Sequence, residues 1–401
     1  MSRSILFLVC ALALAGMVRP GVAQASPPRL SFILVDEHKL AAIKQEYLRG
    51  PASSGVKKEV EQFLKKTEQL LAVTPYTVTN KKKLPPSGDK HDYMSQGPYW
   101  WPDSSQPGGK PYIRRDGKVN PERNLMQDHE EMDHMTREVK ELALAYYFTG
   151  REDFARKAVE LLRVWFLDKE THMNPNLNFS QGIPGVTEGR GSGVLDTEGF
   201  TNIPDALVLI KGSNSLNRKF VRDLRRWFEK YAHWLQHSKN GKQAKAHDNN
   251  HGTYFDLQLT DYLLFLGKKK KVRRVLKEQS LPRIDRQFTI EGAQPLELIR
   301  TKSWNYTTRN LLGWTKLAQI GERVGVDVWG YQTAQGKGIR RGVAWFLPYL
   351  MKEKAWPYEQ IDPPSNSRIL SIYQLASEKY PGTFPQKPFD TYPVFNLNLV
   401  W

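Results

Sequence analysis

Apolar residues recur at helical spacing through most of this chain, and that pattern constrains its fold more than any other feature. The block from Leu142 to Tyr146 repeats at i, i+3 and i+4, and the block from Phe154 to Trp165 repeats at i, i+4, i+7, i+8 and i+11. Gly150 lies between the two blocks, where a glycine is suited to end a helix. This spacing places the apolar side chains on one face of each helix, so the sequence predicts a helical hairpin.

The same periodicity predicts helices within residues 26–75 and at 203–210, 217–237, 249–266, 303–324 and 336–351. We find no blocks that alternate with the period of a β-strand, no heptads and no interdomain linker. We therefore predict an all-α fold made of packed hairpins, with residues 26–401 forming one domain.

The first 25 residues resemble a secretory signal peptide. Arg3 precedes a short apolar run at 5–17, and the segment Val22–Ala25 provides an A-x-A cleavage site. This run is too short to cross a membrane, and no later run reaches the roughly 18 apolar residues that a span requires. We expect a periplasmic or secreted protein. Because the only cysteine, Cys10, lies in the signal, the exported chain must be stabilised by a large core without disulfides.

The chain is strongly basic, with 59 lysines and arginines against 42 acidic residues and a formal charge of +17. Such a charge predicts a polyanionic partner, although a generally basic protein without an acidic ligand is the alternative. Export disfavours nucleic acid. The 11 tryptophans and 17 tyrosines offer faces on which sugar rings stack, so we expect an acidic polysaccharide.

Two long aperiodic segments are candidates for binding loops. The first, 81–123, contains Tyr99, Trp100 and Trp101, which we interpret as a sugar platform, with core packing as the alternative. Lys90 in the same segment is a further candidate contact with substrate.

The second aperiodic segment, 174–201, is rich in glycine and contains Glu188 and Arg190. It could cradle an anion, but it lacks the G-x-x-x-x-G-K-[ST] pattern of a phosphate-binding loop. We predict that both charged residues contact substrate.

Polar residues gather immediately before the block at 249–266. Asn249, Asn250 and His251 precede a run from Tyr254 that is apolar on nearly every face, which predicts a buried helix. A single amide is enough to cap a helix N-terminus. We therefore interpret Asn250 and His251 as side chains directed into a pocket, with capping alone as the alternative.

A second polar group precedes the block at 303–324. If Ser303 caps that helix, Arg300 lies on the incoming loop and Tyr306 lies in the first turn, so their side chains can point the same way. The alternative is a surface ion pair for Arg300 and core packing for Tyr306. His129 and His134 are five residues apart and not four, which is wrong for an H-E-x-x-H zinc helix, so we expect no metal and no cofactor.

The combination resembles the alginate lyase superfamily of helical-toroid polysaccharide lyases, in particular the branch acting on mannuronan or glucuronan. The residues that carry the resemblance are Tyr99–Asp103, the hairpin at 144–165, Asn249–Gly252 and Arg300–Tyr306. The resemblance implies an (α/α) toroid or incomplete barrel. It also implies a catalytic set of Asn250, His251, Arg300 and Tyr306, with Asn249 as a further contact with substrate.

These residue types suit β-elimination from a 4-O-linked uronate. Asn250, His251 and Arg300 would neutralise the carboxylate on which negative charge develops. Tyr306 would act as both base and acid, which requires a cation such as Arg300 to favour its phenolate. That arrangement suits mannuronate and glucuronate alike, whereas guluronate would need another base, for which His251 is the candidate. The resemblance alone implies mannuronate first and glucuronate second.

Two other functions remain open at this point. A toroid hydrolase would need two carboxylates about 5–9.5 Å apart, and nothing in the sequence pairs the candidates, which are Glu188, Asp196, Glu198 and Asp248. A non-catalytic binder of acidic glycans would need only the aromatic and basic residues.

Overall fold

A computed structural model describes residues 29–385. The predicted signal peptide and the residues after 385 lie outside this range. The helices are α1 Glu37–Arg49, α2 Gly55–Thr67, α3 Gln127–Thr149, α4 Glu152–Phe166, α5 Ile203–Leu209, α6 Arg218–His237, α7 Lys239–Ala246, α8 Asn250–Phe265, α9 Lys269–Val275, α10 Leu281–Gln287, α11 Pro295–Leu298, α12 Ser303–Val324, α13 Ile339–Leu350 and α14 Ser367–Lys379. No helix between residues 29 and 385 is long and apolar enough to cross a membrane.

Helix α8 lies at the centre of the fold. All of its residues except His251 and Leu264 are buried, because it is apolar on nearly every face and is surrounded by other helices. It packs against α12, α6 and α7. The predicted hairpin of α3 and α4 is present, and Gly150 ends α3 with the left-handed φ of 70° that glycine adopts readily. The mostly helical toroid expected from the sequence is confirmed.

Aromatic residues fill much of the core. Phe166 meets Trp227 edge to face at a centroid distance of 4.6 Å, and Phe200 meets the same tryptophan at 5.7 Å. Tyr231 and Phe228 extend this cluster toward α8. Edge-to-face contacts of this kind add to the stabilisation from burial alone. The core therefore supplies the large apolar interior that a chain without disulfides requires.

The first residues of the described range are held by two distant helices. The carboxylate of Asp205, on α5, accepts hydrogen bonds from three consecutive amides, those of Ile33, Leu34 and Val35. Arg323, near the end of α12, donates to the carbonyl oxygens of Ile33 and Val35. The beginning of the fold is thus fastened to both α5 and α12.

The two aperiodic segments contain four short strands that sequence periodicity did not reveal. Their bounds are β1 Met94–Gln96, β2 Trp100–Trp101, β3 Ile113–Arg114 and β4 Phe179–Gly182. Strand β1 pairs with β4 in parallel across an irregular register, and β2 pairs with β3 in antiparallel fashion. Strands of two to four residues are too short for an alternating pattern to be visible. The pairing of β1 with β4 joins the two aperiodic segments to each other.

Candidate active site

The candidate site forms where α8 and α12 begin. Asn249 caps α8, since its Oδ1 accepts a hydrogen bond from the backbone N–H of His251 at 3.1 Å. The chain turns sharply before this helix, and a Cβ on Gly252 would lie 2.0 Å from the carbonyl oxygen of His247. Arg283 holds that same carbonyl with Nη1 at 2.7 Å and contacts Asp256 with Nε at 2.8 Å. Glycine at 252 therefore permits the close packing that fixes the mouth of α8.

The start of α12 brings Arg300 and Tyr306 together. The guanidinium carbon of Arg300 lies 4.0 Å from the ring centroid of Tyr306, and the Tyr306 hydroxyl donates to that of Tyr99 at 2.6 Å. The cap expected at Ser303 is wrong. Ser303 is the first helical residue, and its hydroxyl donates to the carbonyl oxygen of Glu359 at 2.6 Å. Because the Ser303 hydroxyl is bonded to the distant Glu359, it does not cap the N-terminus of α12.

Asp116 holds Arg300 in place and was not among the residues expected from the sequence. Its carboxylate accepts from Arg300 Nε at 3.0 Å and Nη2 at 2.7 Å, and from the backbone N–H of Thr301 at 3.2 Å. Burial would raise the pKa of Asp116, but the bonds from Arg300 and Thr301 and the charges of Arg300 and Arg114 hold it well below its usual value. Asp116 is therefore ionised and compensates the charge of Arg300.

Tyr306 is a neutral phenol in this structure. Burial raises its pKa well above the ordinary value, and the neighbouring Tyr99 raises it further. Arg300 acts in the opposite direction, as expected from the sequence, but its effect is the smaller one. The cation that was expected to favour a phenolate is itself paired with Asp116, so Tyr306 is mainly in its protonated form.

Asn250 is held by a buried glutamate. Its backbone N–H donates to Oε1 of Glu297 at 2.6 Å and its Nδ2 donates to Oε2 at 2.7 Å. Both residues are only 1 % exposed. Burial raises the pKa of Glu297 to about 7, although the bonds from Asn250 and the charges of Arg300 and Arg309 lower it. Like Asp116, Glu297 is a carboxylate that holds one of the predicted site residues and that the sequence analysis did not identify.

His251 is a neutral imidazole. His251 is partly exposed as a residue, but its Nδ1 is closed off from solvent. Desolvation lowers its pKa well below the ordinary value, and the charges of Arg309, Arg190 and Arg300 and the protonated form of His247 lower it further. The rings of His247 and His251 lie 5.2 Å apart. A neutral His251 can interact with a carboxylate through a hydrogen bond, but it brings no positive charge of its own.

Buried polar atoms without hydrogen-bond partners concentrate at these two helix starts. Within residues 29–385, such atoms at this place are His247 Nε2, Asn250 Oδ1, His251 Nδ1, Thr307 Oγ1 and Arg309 Nε. Most buried polar atoms in folded proteins are hydrogen-bonded, so each exception calls for an explanation. Five exceptions around the starts of α8 and α12, one of them on the turn before α8, indicate a site that a polar ligand completes.

Arg190 extends this positive region toward the aromatic loop. Gln181 holds it, accepting from Nη2 at 2.8 Å through Oε1 and from Nε at 3.2 Å through its carbonyl oxygen. Burial lowers the pKa of Arg190 to about 10, so it stays charged near neutral pH. No carboxylate of the described range forms an ion pair with it. The guanidinium carbon lies 5.9 Å from the ring of Trp100.

The three adjacent aromatic residues, Tyr99, Trp100 and Trp101, contact different parts of the structure. Tyr99 bonds to Tyr306, whereas Trp101 donates from Nε1 to the carbonyl oxygen of Lys118 at 2.9 Å. Trp100 and Trp101 are half-buried, so part of each ring remains open to a ligand. Tyr99 and Trp100 therefore lie beside the charged residues of the site.

Glu188 and Lys90 lie away from the candidate site at the starts of α8 and α12. Glu188 is exposed and lines a separate groove of about 580 Å³ with Lys83, Gln96 and Lys110. Lys90 is exposed in a turn, where the neighbouring Asp89 accepts from Asn174. No hydrogen bond or ion pair joins either residue to Tyr306, Arg300 or Asn250.

Three of the four carboxylates considered for hydrolysis are engaged in other contacts. Asp196 accepts from Tyr93, Ser95 and Gln181, and Glu198 pairs with Arg309. Both line a cavity of about 270 Å³ next to the site. Asp248 pairs with Arg286 at the surface. Among residues 29–385, no group of three or more histidine, cysteine or acidic residues is arranged to hold a metal ion.

Comparisons with known proteins show which family the chain belongs to. The sequence profile described as Alginate lyase matches residues 77–356. A crystal structure of an alginate lyase from Bacteroides ovatus is 34% identical, covering 93% of this chain and 99% of that chain, with a TM-score of 0.87.

The chain belongs to the alginate lyase family. More distant structures share the fold. Alginate lyase A1-III from Sphingomonas species A1 is 16% identical, with a TM-score of 0.52, over 92% of this chain and 97% of that one. A histidine-to-alanine variant of alginate lyase A1-III complexed with tetrasaccharide is 17% identical, with a TM-score of 0.55, over 92% and 94%. A search of the curated proteins gave no match.

This alginate lyase family member is a polysaccharide lyase, which decides against the hydrolase and the non-catalytic binder. The structure of the lyase brings Asn249, Asn250, His251, Arg300 and Tyr306 to adjoining helix starts. It also shows what sequence reasoning missed, namely the supporting residues Asp116, Glu297, Gln181 and Arg309.

Proposed function

We propose that this lyase cleaves 4-O-linked uronate polymers by β-elimination, with mannuronate-rich alginate as its first substrate and glucuronan as its second. The observation that carries the proposal is the position of the Tyr306 hydroxyl. It is hydrogen-bonded to another phenol at 2.6 Å, under a guanidinium that lies 4.0 Å from its ring. A group that must both take and give a proton needs such a place, beside positive charge and free of a fixed carboxylate partner.

The proposed reaction uses this geometry. The phenolate form of Tyr306 takes the proton from C5 of the uronate, and the electron pair is delocalised into the neighbouring carboxylate. The C4–O4 bond then breaks as the C4=C5 double bond forms, and the Tyr306 hydroxyl gives its proton to the leaving O4. One residue therefore ends the cycle in the state in which it began. Because the pKa of Tyr306 is raised, only a small fraction of the enzyme carries the phenolate at neutral pH.

Neutralisation of the uronate carboxylate is assigned to protein groups. Arg300 and Arg190 supply positive charge, His251 supplies a hydrogen bond, and Asn250 supplies another once its Nδ2 faces the substrate. Charges that are already in place where negative charge develops stabilise the intermediate without reorganisation. We accordingly propose a reaction that needs no metal ion.

Stereochemistry supports mannuronate and glucuronate over guluronate, and membership of the alginate lyase family supports placing mannuronate first. Mannuronate and glucuronate differ only at C2, so in both the C5 proton and the leaving oxygen lie on the same face. Guluronate is inverted at C5 and needs a second residue as base, for which the neutral His251 is available.

We also propose that the enzyme acts in the periplasm or outside the cell, because its first 25 residues have the pattern of a signal peptide.

The experiment is to follow absorbance from the new double bond, which is conjugated to a carboxylate, with polymannuronate, polyguluronate and glucuronan as separate substrates. We expect polymannuronate to be cleaved fastest, with no loss of rate in chelator. Cleavage of polyguluronate alone would overturn the assignment of substrate. A rate that chelator abolishes and a divalent ion restores would overturn the metal-free mechanism.

A further inference from the structure

One end of the Asn250 amide is held, and the other has no partner. Nδ2 and the backbone N–H donate to the two oxygens of Glu297. Oδ1 is closed off from solvent and accepts no hydrogen bond from the described part of the chain. An ionised Glu297 can only accept, so it requires Nδ2 to face it. The end left over is then an acceptor, which is the wrong group for a uronate carboxylate.

We infer that Glu297 is a positioning residue for Asn250. Its protonation state determines whether Oδ1 or Nδ2 of Asn250 faces a bound uronate, and Glu297 takes up a proton when substrate binds. This rests on the proposed function, because it names the uronate carboxylate as the ligand. A protonated Glu297 donates its O–H to Oδ1, and the turned amide offers Nδ2–H to the substrate. The proton comes from solvent, and no covalent bond of the protein changes apart from the O–H bond on Glu297.

The charges around Glu297 allow this exchange. Those that face it are Arg300 from the loop after α11, Arg309 from α12 and the phenol of Tyr254 from α8. Both arginines favour the carboxylate, but each is already paired, Arg300 with Asp116 and Arg309 with Glu198. Burial has the larger effect and raises the pKa of Glu297 to about 7. An arriving anion raises it further, so binding and protonation favour each other.

Proton uptake can be measured without turnover. A mannuronate tetrasaccharide is titrated into Tyr306→Phe by calorimetry, in two buffers with different ionisation enthalpies, at about pH 8, where Glu297 is mostly ionised in the free enzyme. We expect uptake of between about 0.5 and 1 proton for each ligand bound. The matched double variant Tyr306→Phe with Glu297→Gln should bind without uptake.

The outcomes separate this inference from the proposed function. Failure of the tetrasaccharide to bind would overturn both. Binding whose heat does not depend on the buffer would overturn the role of Glu297 alone, as would equal uptake in the Glu297→Gln variant.

The pH profile of kcat/KM gives a second readout. In the Glu297→Gln variant the neutral side-chain amide donates to Asn250 Oδ1 at every pH, so its advantage over glutamate should grow about tenfold per pH unit above the pKa of Glu297. The wild-type profile should rise up to about pH 7 and then level off, as loss of the Glu297 proton offsets gain of the Tyr306 phenolate. Glu297→Leu makes neither hydrogen bond, so it should be less active than Glu297→Gln by the same factor at every pH. A ratio between the glutamine variant and wild type that stays constant with pH would overturn the inference.

Discussion

Replacing Tyr306 and Tyr99 separately by phenylalanine tests the central assignment with a matched pair. Each change removes one hydroxyl and keeps the ring, and the two hydroxyls share a single hydrogen bond of 2.6 Å. Both variants therefore lose the same bond. Only Tyr306 is proposed to transfer the proton, whereas Tyr99 supports it and offers a face to the sugar.

The shared bond sets the scale of the expected effects. A neutral hydrogen bond contributes about 1 kcal/mol, so both variants should lose about that much unfolding free energy. If Tyr99 only positions its partner, its loss should cost roughly fivefold in kcat/KM, which corresponds to about 1 kcal/mol. Loss of a general acid–base group costs about 10²–10⁴-fold, so Tyr306→Phe should raise the barrier by about 3–5 kcal/mol.

Steady-state kinetics on polymannuronate and a denaturant titration of each variant measure these quantities. The expected result is two proteins of equal stability whose turnover differs by at least about tenfold. Equal turnover would refute the reasoning, since the hydroxyl of Tyr306 would then contribute nothing beyond its bond. Near-native turnover in Tyr306→Phe would move the base to His251.

Three further changes test the surroundings of the site. Asp116→Asn leaves Arg300 unpaired beside Tyr306, so the Tyr306 phenolate should form at lower pH. Ultraviolet titration measures this, with Tyr306→Phe as the blank, and an unchanged titration would contradict the proposed effect of the pairing. Asp256→Asn breaks a buried pair with Arg283 at 2.8 Å and should cost about 3–5 kcal/mol of unfolding free energy in a denaturant titration. The pKa of Glu297 rises from 4.5 to about 7 on folding, so wild-type stability should fall by about 3 kcal/mol over that pH range through this group. Glu297→Gln should lack that part of the fall in a series of thermal melts.

Local sequence reasoning succeeded where the deciding contacts lie within a few turns. Helix α8 could be predicted as buried because its own residues are apolar on nearly every face. Arg300 and Tyr306 could be expected to meet because a helix begins between them, and the structure has them 4.0 Å apart. Both inferences depend on helix geometry and not on the rest of the fold.

The contacts that determine the pKa values and positions of the site residues join distant parts of the chain. Sequence periodicity does not reveal such contacts. Asp116 reaches Arg300 across 184 residues, and Tyr99 reaches Tyr306 across 207. The hydroxyl of Ser303 is taken by a carbonyl 56 residues later. The contacts of Asp116 and Tyr99 follow from how the first aperiodic segment folds over the toroid. The pKa of Tyr306 was therefore expected to be lowered, whereas the structure raises it.

Helix α12 acts as a mechanical link between two regions with different tasks. It bears Tyr306 in its first turn and Arg323 in its last, where Arg323 holds the backbone of Ile33 and Val35. Its 22 residues extend about 33 Å as one rod. Because the helix is a stiff rod, we expect an affinity tag placed close to the segment at 33–35 to lower turnover, although the tag would lie far from Tyr306.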